Sequence, residues 1–462
     1  MDDKNIENKC ILAVDAGSTN VKAALLSYDG TVLISDRRKT PLTATDTYAE
    51  GNAGLLYDTV ETLALALIGE AGSCEIGGVC IASQMTSLLC LDQFMEPVGN
   101  IIYGIDTRGS GYLCRLEDFW PMERICHVTG CPPGGIYWPG KLMWLREHRP
   151  EQMRRTCYLA GAKEYLLYRL TGTLVTDCAS ASTTQIYDQK CGCWWPEILH
   201  FLQMEDMGLP EIKKPWELAG MLGEEVAERL GIKQVPVLVG SGDGPAATIS
   251  SGSVRVGDCC ISFGTTAVTR YVTDSWQAES SGYFVQHLCD GIYLQGIRIN
   301  ESGRLAEPYI YATGGVEQSS EGAFFYNGRF FPKEPSTAGG RLKAVCNGVL
   351  FQIYESMLPV VEKGGILRIL PTGGGSVNRA YMQRTANLFG TPVIIRENGT
   401  AFAGLASFVL MYEKKAVDLF DAVNQLSLGQ EILMPQEDRE LLEQFHSYIK
   451  VRGRKAGAGF DE

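Results

Sequence analysis

The apolar positions of this chain come in short runs divided by polar, glycine-containing turns. Cys10 to Val14 is apolar, the small-residue turn Asp15-Ala-Gly-Ser-Thr-Asn20 follows, and Val21 to Ser27 is apolar again. Tyr28-Asp29-Gly30-Thr31 then leads into a third short run, Thr31 to Ser35. Such runs, bounded by turn residues, predict strands, so the chain opens as an antiparallel meander. Leu55 to Gly69 carries apolar residues at helical spacing. Gly77 to Ser83 and Leu88 to Asp92 predict further strands. Lys141 to Arg149 predicts a helix ended by Pro150, Ala162 to Leu170 one ended by Thr171-Gly172, and Gly223 to Leu230 one ended by Gly231. Alternating strands and helices predict an α/β layered fold.

Val235 to Val239 is a strongly apolar strand running into Gly240-Ser-Gly-Asp-Gly244. Beyond it, Cys259 to Phe263, the turn Gly264-Thr265-Thr266 and Ala267 to Val272 repeat the strand-turn-strand arrangement of the N-terminus. The repeat predicts two lobes of related construction with a boundary near residues 244–254. We expect one lobe over 1–244, a second over 245–435, and a polar C-terminal tail over 436–462 that is helical with a loose end. Within the second lobe, Leu342 to Val361 predicts a long helix and Ile366 to Pro371 a strand. Thr372-Gly-Gly-Gly-Ser376 then leads into a helix from Tyr381 to Phe389.

Composition narrows the function classes. A chain of 462 residues with 45% apolar and 21% charged residues is ordinary for a globular protein of more than one domain. Its 41 Lys and Arg against 54 Asp and Glu give a net charge of −13, which repels phosphate backbones and anionic lipid. Nucleic acid and membrane are therefore not expected partners. Met1 to Lys9 is polar, and no uninterrupted apolar run reaches the roughly 18 residues that span a bilayer. The 15 cysteines are scattered, with one C-x-C (Cys191, Cys193), one adjacent pair (Cys259, Cys260) and no C-x-x-C. That spacing argues against a zinc site or disulfide framework and for a reducing, cytoplasmic setting.

Five segments can carry chemistry. In Asp15-Ala-Gly-Ser-Thr-Asn-Val-Lys22, a tight turn presents backbone N–H groups and the Ser18 and Thr19 hydroxyls to an anion. Gly17 permits the turn and Lys22 adds a point charge. Asp15, at a strand end, suits a hydrated Mg²⁺. The bland alternative is a plain hairpin turn with a solvated Asp. Gly264-Thr265-Thr266 stands at the matching turn of the second repeat, where it can hold phosphates; alone, any hairpin can carry Gly-Thr. Gly373-Gly374-Gly375 with Asn378 precedes a helix and lets a ring or a phosphate approach the backbone, or is only a flexible loop. Asp243, at the end of an apolar strand, is suited to accept the proton of an attacking hydroxyl, or else to cap the helix that follows. Gln84-Met85-Thr86 and Asp106-Thr107-Arg108 each follow a short strand and suit hydroxyl recognition, or are ordinary loop polarity.

Taken in order, these segments resemble the FGGY carbohydrate kinases, from about Cys10 to about Tyr412. Asp15 to Lys22 is similar to that family's first phosphate motif, D-x-G-T/S-T-x-x-K. Gln84-Met85-Thr86-Ser87 is similar to the sugar motif of its xylulokinase and gluconokinase branches, with Thr86 where histidine is usual. Asp106-Thr107-Arg108 resembles the D-x-R that follows. Similar to the same branches are Thr129 to Pro133, Lys141 to Leu145, Gly161 to Tyr165, Tyr168 to Gly172, and Thr176-Asp177. The resemblance implies two actin-like ATPase (ribonuclease H-like) lobes with a cleft between them. It implies ATP and Mg²⁺ as cofactors and a small sugar as substrate, and a homodimer is compatible with it. It gives Asp243 the role of catalytic base and Asp15 a share in placing Mg²⁺ and phosphate. It makes Gly264, Thr265 and Thr266 the second phosphate turn, and Gly373, Gly374, Gly375 and Asn378 the adenosine loop. Gln84, Met85, Thr86, Asp106, Arg108 and Asp243 become sugar-binding. The family's G-E-R-x-P segment is absent, and the stretch from Gly296 to Gly322 is shorter than the family's, so the second lobe reads as shortened. The expected reaction is phosphorylation of a ketose such as xylulose. Gluconate, another sugar acid or a polyol, and a non-catalytic sugar- or nucleotide-binding role remain as alternatives. A P-loop kinase is disfavoured, since G-x-x-x-x-G-K-[ST] does not occur.

Overall fold

The computed structural model describes residues 9–72, 74–275, 283–300, 302–315, 317, 321–396 and 401–456. Met1 to Asn8, the last six residues and part of the Gly296 to Gly322 stretch lie outside the described residues. The chain forms two compact units. The first comprises Met1–Val254, Thr273–Gln295 and Asn398–Leu428; the second comprises Arg255–Val272, Gly296–Glu397 and Gly429–Glu462. The division therefore falls ten residues beyond Gly244, and two later segments return to the first unit.

The first unit is built on a six-stranded sheet. Its order is Leu218–Met221, Pro236–Gly242, Glu75–Ser83, Lys9–Ala16, Asn20–Leu26 and Val32–Lys39. The last three strands form the antiparallel meander expected from the opening sequence. Pro236–Gly242, Glu75–Ser83 and Lys9–Ala16 run parallel. Lys9–Ala16 is buried at every position after Lys9, which explains its unbroken apolar run, since a central parallel strand is covered on both faces. Its alternate residues Cys10, Leu12 and Val14 pack into one cluster with Leu56, Tyr57, Val60 and Leu63 of the helix Ala53–Glu70. Asn52 caps that helix by accepting the Leu55 N–H. Helices Asp243–Ser251 and Ala401–Tyr412 lie in close contact. The Gly404 N–H donates to Ser250 Oγ at 2.6 Å, and a Cβ on Gly404 would fall 2.4 Å from the Ala246 carbonyl.

Pro150 does more than end the preceding helix. Trp138–His148 stops there, and Pro150 is the first residue of a second short helix, Pro150–Arg155. A missing N–H costs nothing in a first turn.

In the second unit the sheet runs Ala267–Thr273, Asp258–Phe263, Arg368–Thr372, Val393–Arg396 and Gln430–Leu433. Asp258–Phe263 pairs antiparallel with the returning strand and parallel with Arg368–Thr372, as the first strand of the chain pairs with its own neighbours. Helix Ala338–Val361 is long and apolar enough to cross a membrane. It carries Arg341, Lys343 and Glu355, and Leu342, Val345, Val349, Leu350, Ile353 and Met357 are buried, so it serves as a core helix. The polar C-terminal stretch forms the helix Arg439–Ala456, held by buried Phe445 and Tyr448, with the Tyr448 hydroxyl donating to Glu355 at 3.0 Å.

Candidate active site

Parallel strands of the first unit end together, and the candidate residues sit at those ends. Register aligns Asp15 with Ala82, Ala16 with Ser83, and Gly242 with Ser83. Asp15, the Gln84–Ser87 turn and Asp243 thus leave three adjacent strands at one edge, the place where open α/β sheets collect ligands. Asp15 is buried, and its Oδ2 accepts from Lys22 Nζ at 3.3 Å across the hairpin. Burial raises its pKa above the usual carboxylate range, with Lys22 pulling the other way. Asp15 Oδ1 is buried without a partner among the described residues. One such oxygen suits a Mg²⁺ that keeps its waters and takes few protein ligands, so the residues present fit that ion. The Gly17 N–H donates to Asn20 O at 3.1 Å and closes the turn, leaving Thr19 exposed at its tip. Asp243 is half-buried and opens the helix Asp243–Ser251, with Oδ1 accepting its neighbour's Gly244 N–H at 2.8 Å.

The Gln84–Ser87 turn is pinned at nearly every residue. The Gln84 N–H donates to Ala16 O at 3.0 Å, and its Oε1 accepts the Gly104 N–H at 3.3 Å. Lys141 Nζ donates to Thr86 O at 2.8 Å, Trp138 Nε1 to Ser87 O at 2.8 Å, and the Ala162 N–H to Ser87 Oγ at 2.9 Å. The Gly104 bond fixes the orientation of the Gln84 carboxamide and leaves its buried Nε2 donor without a partner among the described residues. A concavity of about 340 Å³ lies against this turn, with Lys163, Glu164, Thr176 and Trp194 in its wall.

Asp106 and Arg108 engage one another. Asp106 is fully buried, and it accepts the Ala49 N–H at 2.8 Å and Arg108 Nε and Nη2 at 3.0 and 2.7 Å. Arg108 Nη2 also donates to buried Glu50 at 2.7 Å, and its guanidinium lies 4.1 Å from the Trp144 ring centroid and 4.5 Å from that of Tyr48. Lys163 is likewise compensated: Nζ donates to Asp177 at 2.7 Å and to Val239 O at 3.2 Å, and Asp177 accepts Ser241 Oγ at 2.9 Å.

In the second unit, the Gly264 N–H donates to Thr266 O at 3.2 Å, which makes a tighter turn than its counterpart at Gly17. Its carbonyls are taken by residues 302 and 303: Ser302 N–H donates to Thr265 O at 3.2 Å and Gly303 N–H to Gly264 O at 2.9 Å. Thr265 stands exposed at the tip, as Thr19 does. Gly373 has φ +83°, and a Cβ there would meet the Phe263 carbonyl at 2.8 Å. The triple-glycine loop thus lies on the strand that leads into the Gly264 turn. Gly374 and Gly375 open a short 3₁₀ turn, Gly374–Val377, that precedes helix Arg379–Phe389. The Asn378 side chain caps that helix through the Tyr381 N–H at 3.0 Å and donates to Glu317 at 2.8 Å.

Sequence reading missed Glu50, Lys163, Asp177 and Gln286 as parts of the first unit's site. Gln286, 201 positions from Met85, brings its Nε2 to within 3.6 Å of the Met85 sulfur. The only signal for Lys163 and Asp177 was their place inside family-like segments.

The N-terminal domain of the FGGY family of carbohydrate kinases matches residues 10–250. Gluconokinase of Bacillus subtilis (strain 168) is 24% identical over 460 residues, with 90% of each chain covered. Xylulose kinase of the same organism is 25% identical over 426 residues, covering 84% of this chain and 85% of that one. Among solved structures, ligand-bound xylulose kinase of Lactobacillus acidophilus superposes with a TM-score of 0.88 at 23% identity, over 97% of this chain and 99% of that one. Gluconate kinase of the same organism gives 0.87 at 22% identity over the same shares. The likeness establishes the α/β, two-lobed actin-like ATPase fold. With the match to residues 10–250 spanning more than half of its length, this chain belongs to the FGGY family of carbohydrate kinases, phosphotransferases that act on a sugar hydroxyl.

Proposed function

We propose that this kinase transfers the γ-phosphoryl group of ATP to a hydroxyl of a neutral ketose such as xylulose. One observation carries the choice of a neutral sugar. Arg108 is the cation that the sequence offers a sugar carboxylate, and it is held by Asp106 and Glu50. Lys163 is held by Asp177, and Lys141 by two backbone carbonyls. A carboxylate at the Gln84–Ser87 turn would bring in a charge that these engaged cations do not meet, whereas a hydroxyl can accept from the unpartnered Gln84 Nε2.

In this reading the acceptor hydroxyl oxygen attacks the γ-phosphorus as the bond to the β-phosphate oxygen breaks and ADP leaves. Asp243 takes the hydroxyl proton, and Gln84, Met85 and Thr86 orient the sugar. Asp106 and Arg108 build the wall of the sugar pocket as an ion pair. Gly17, Ser18, Thr19 and Lys22 in the first unit, and Gly264, Thr265 and Thr266 in the second, bind phosphate. Gly373, Gly374 and Gly375 receive the adenosine on a loop anchored by Asn378. Asp15 would hold Mg²⁺, which would supply charge neutralisation. The residues' main contribution is orientation, worth on the order of 7–11 kcal/mol of barrier.

The test is ADP release with Mg-ATP against a panel of ketoses, aldoses, polyols and sugar acids. We expect turnover with a ketose, absent for gluconate, and lowered about 10³-fold or more by Asp243→Asn. Turnover with gluconate in preference to every ketose would overturn the substrate assignment. Parental turnover in Asp243→Asn would remove the base assignment.

A further inference from the structure

We infer that Lys141 is a positioning residue for sugar recognition, its buried ammonium clamping the Gln84–Ser87 turn to the Tyr103–Arg108 turn. The inference rests on the sugar-facing reading of the first of these turns. Lys141 is 1% exposed, and its Nζ donates to Thr86 O at 2.8 Å and to Tyr103 O at 3.0 Å. Among the described residues it has no carboxylate within ion-pair distance. A buried cation that meets only two main-chain carbonyls is a costly way to fill core space, and a methionine would fill it without that cost. What the lysine adds is a bond to a main-chain carbonyl of each turn, beside the Gly104 N–H bond to Gln84 Oε1 that already links them.

Thr86 shows why such a clamp is needed. Its φ is +63°, a left-handed backbone conformation that a β-branched residue adopts only when its surroundings impose it. Two features hold it. Gly104 seats the turn against bare backbone, for a Cβ there would lie 2.3 Å from Thr86 Oγ1 and 2.4 Å from the Met85 carbonyl. Lys141 holds the Thr86 carbonyl. The helix carrying Lys141 is itself fixed. A Cβ on Gly140 would fall 2.7 Å from the Gly109 carbonyl, and Trp138 of the same helix bonds Ser87 O. The charges facing Lys141 are Asp106 and Arg108, with Glu50 paired to the arginine. Burial pushes the Lys141 pKa down to about 7, Asp106 opposing this and Arg108 adding to it. Near neutral pH the side chain can therefore exist as a neutral amine, whose two N–H groups still suffice for two carbonyls.

The experiment compares wild type, Lys141→Met, Lys141→Gln and Gln84→Ala as full-length enzymes. It measures KM for D-xylulose, KM for ATP and kcat, with thermal denaturation as the folding control. We expect Lys141→Met to raise the xylulose KM about tenfold or more while the ATP KM and kcat change less than about threefold. Lys141→Gln, which keeps a shorter donor, is expected to lie between the two, and it stands in if the methionine variant does not fold. An unchanged xylulose KM in a folded Lys141 variant, with Gln84→Ala raising it, overturns the clamp and leaves the sugar-facing reading standing. An unchanged xylulose KM in Gln84→Ala overturns that reading, and the inference with it. Equal losses in the xylulose KM, the ATP KM and kcat would mark Lys141 as merely structural.

Discussion

Asp15 carries opposing demands at one carboxylate. Its proposed role in placing Mg²⁺ and phosphate needs the ionised form, while burial favours the neutral one and raises its pKa despite Lys22. The sign follows from linkage. A carboxyl whose folded pKa lies above its unfolded value costs stability once the pH exceeds both, and the cost fades as the pH falls toward the ordinary carboxylate range. Asp15→Asn is therefore expected to be more heat-stable than wild type at about pH 7, with the difference shrinking toward about pH 4. Its kcat is expected to drop about 10²-fold or more. Thermal denaturation at the two pH values and the ADP-release assay check both parts; a variant less stable than wild type at neutral pH would show that the Lys22 contact outweighs burial. Arg108 shows the reverse arrangement, a cation whose neighbours leave little for a ligand. Its two partners, Asp106 and Glu50, are 0% and 3% exposed, so it neutralises buried charge, sharing Glu50 with Arg149.

Among the elements, glycines set how closely backbones approach. Helix Ala338–Val361 contains Gly348, where helix propensity alone favours alanine by about 1 kcal/mol. Tertiary contact reverses this, because a Cβ on Gly348 would fall 1.9 Å from the Phe325 carbonyl. Gly348→Ala is expected to lower stability by about 2 kcal/mol or more, read as a lower melting temperature or denaturant midpoint. A stabilised variant would mean that the Phe324–Tyr326 strand can shift away. The two phosphate-type hairpins make a related point. They share strand-turn-strand construction, yet Gly17 closes on Asn20 and Gly264 closes on Thr266, so the second turn is one residue shorter. The difference places Thr19 and Thr265 at equivalent tips on unequal loops.

At the scale of the molecule, the path of the chain matters more than any boundary. The first unit takes back Thr273–Gln295 and Asn398–Leu428 after the chain has begun the second. The Val285 N–H donates to Gly130 O at 2.8 Å, and Leu405, Ala406 and Phe408 are fully buried. A fragment of residues 1–254 would expose the surface that this helix covers. It is expected to aggregate or to lack a cooperative thermal transition, although the sequence places a lobe boundary near residues 244–254. A soluble 1–254 fragment with a sharp transition would show the returning segments to be accessories.

Much of this architecture was legible because its causes are local. The Gly17–Asn20 turn between two apolar runs specifies a hairpin by turn chemistry, and Asp243 follows a strand apolar enough to be central. Gln84-Met85-Thr86 could be read as a motif, but its strained Thr86 backbone and the lysine beneath it could not. The contacts that build the candidate site of the first unit join residues distant in sequence: Glu50 with Arg108, Lys141 with Thr86, Lys163 with Asp177, Gln286 with Met85. Such pairings leave no periodicity or spacing to read, because they arise only once the strands are in register and the helices are packed on them. The sequence alone therefore determined the fold class, the order of elements and the positions of the chemically apt residues. Only the tertiary structure decided which of those residues keep a polar atom for a ligand and which are engaged by one another, since burial pairs most polar groups within the fold and leaves a few, Asp15 Oδ1 and Gln84 Nε2 among them, without a partner among the described residues.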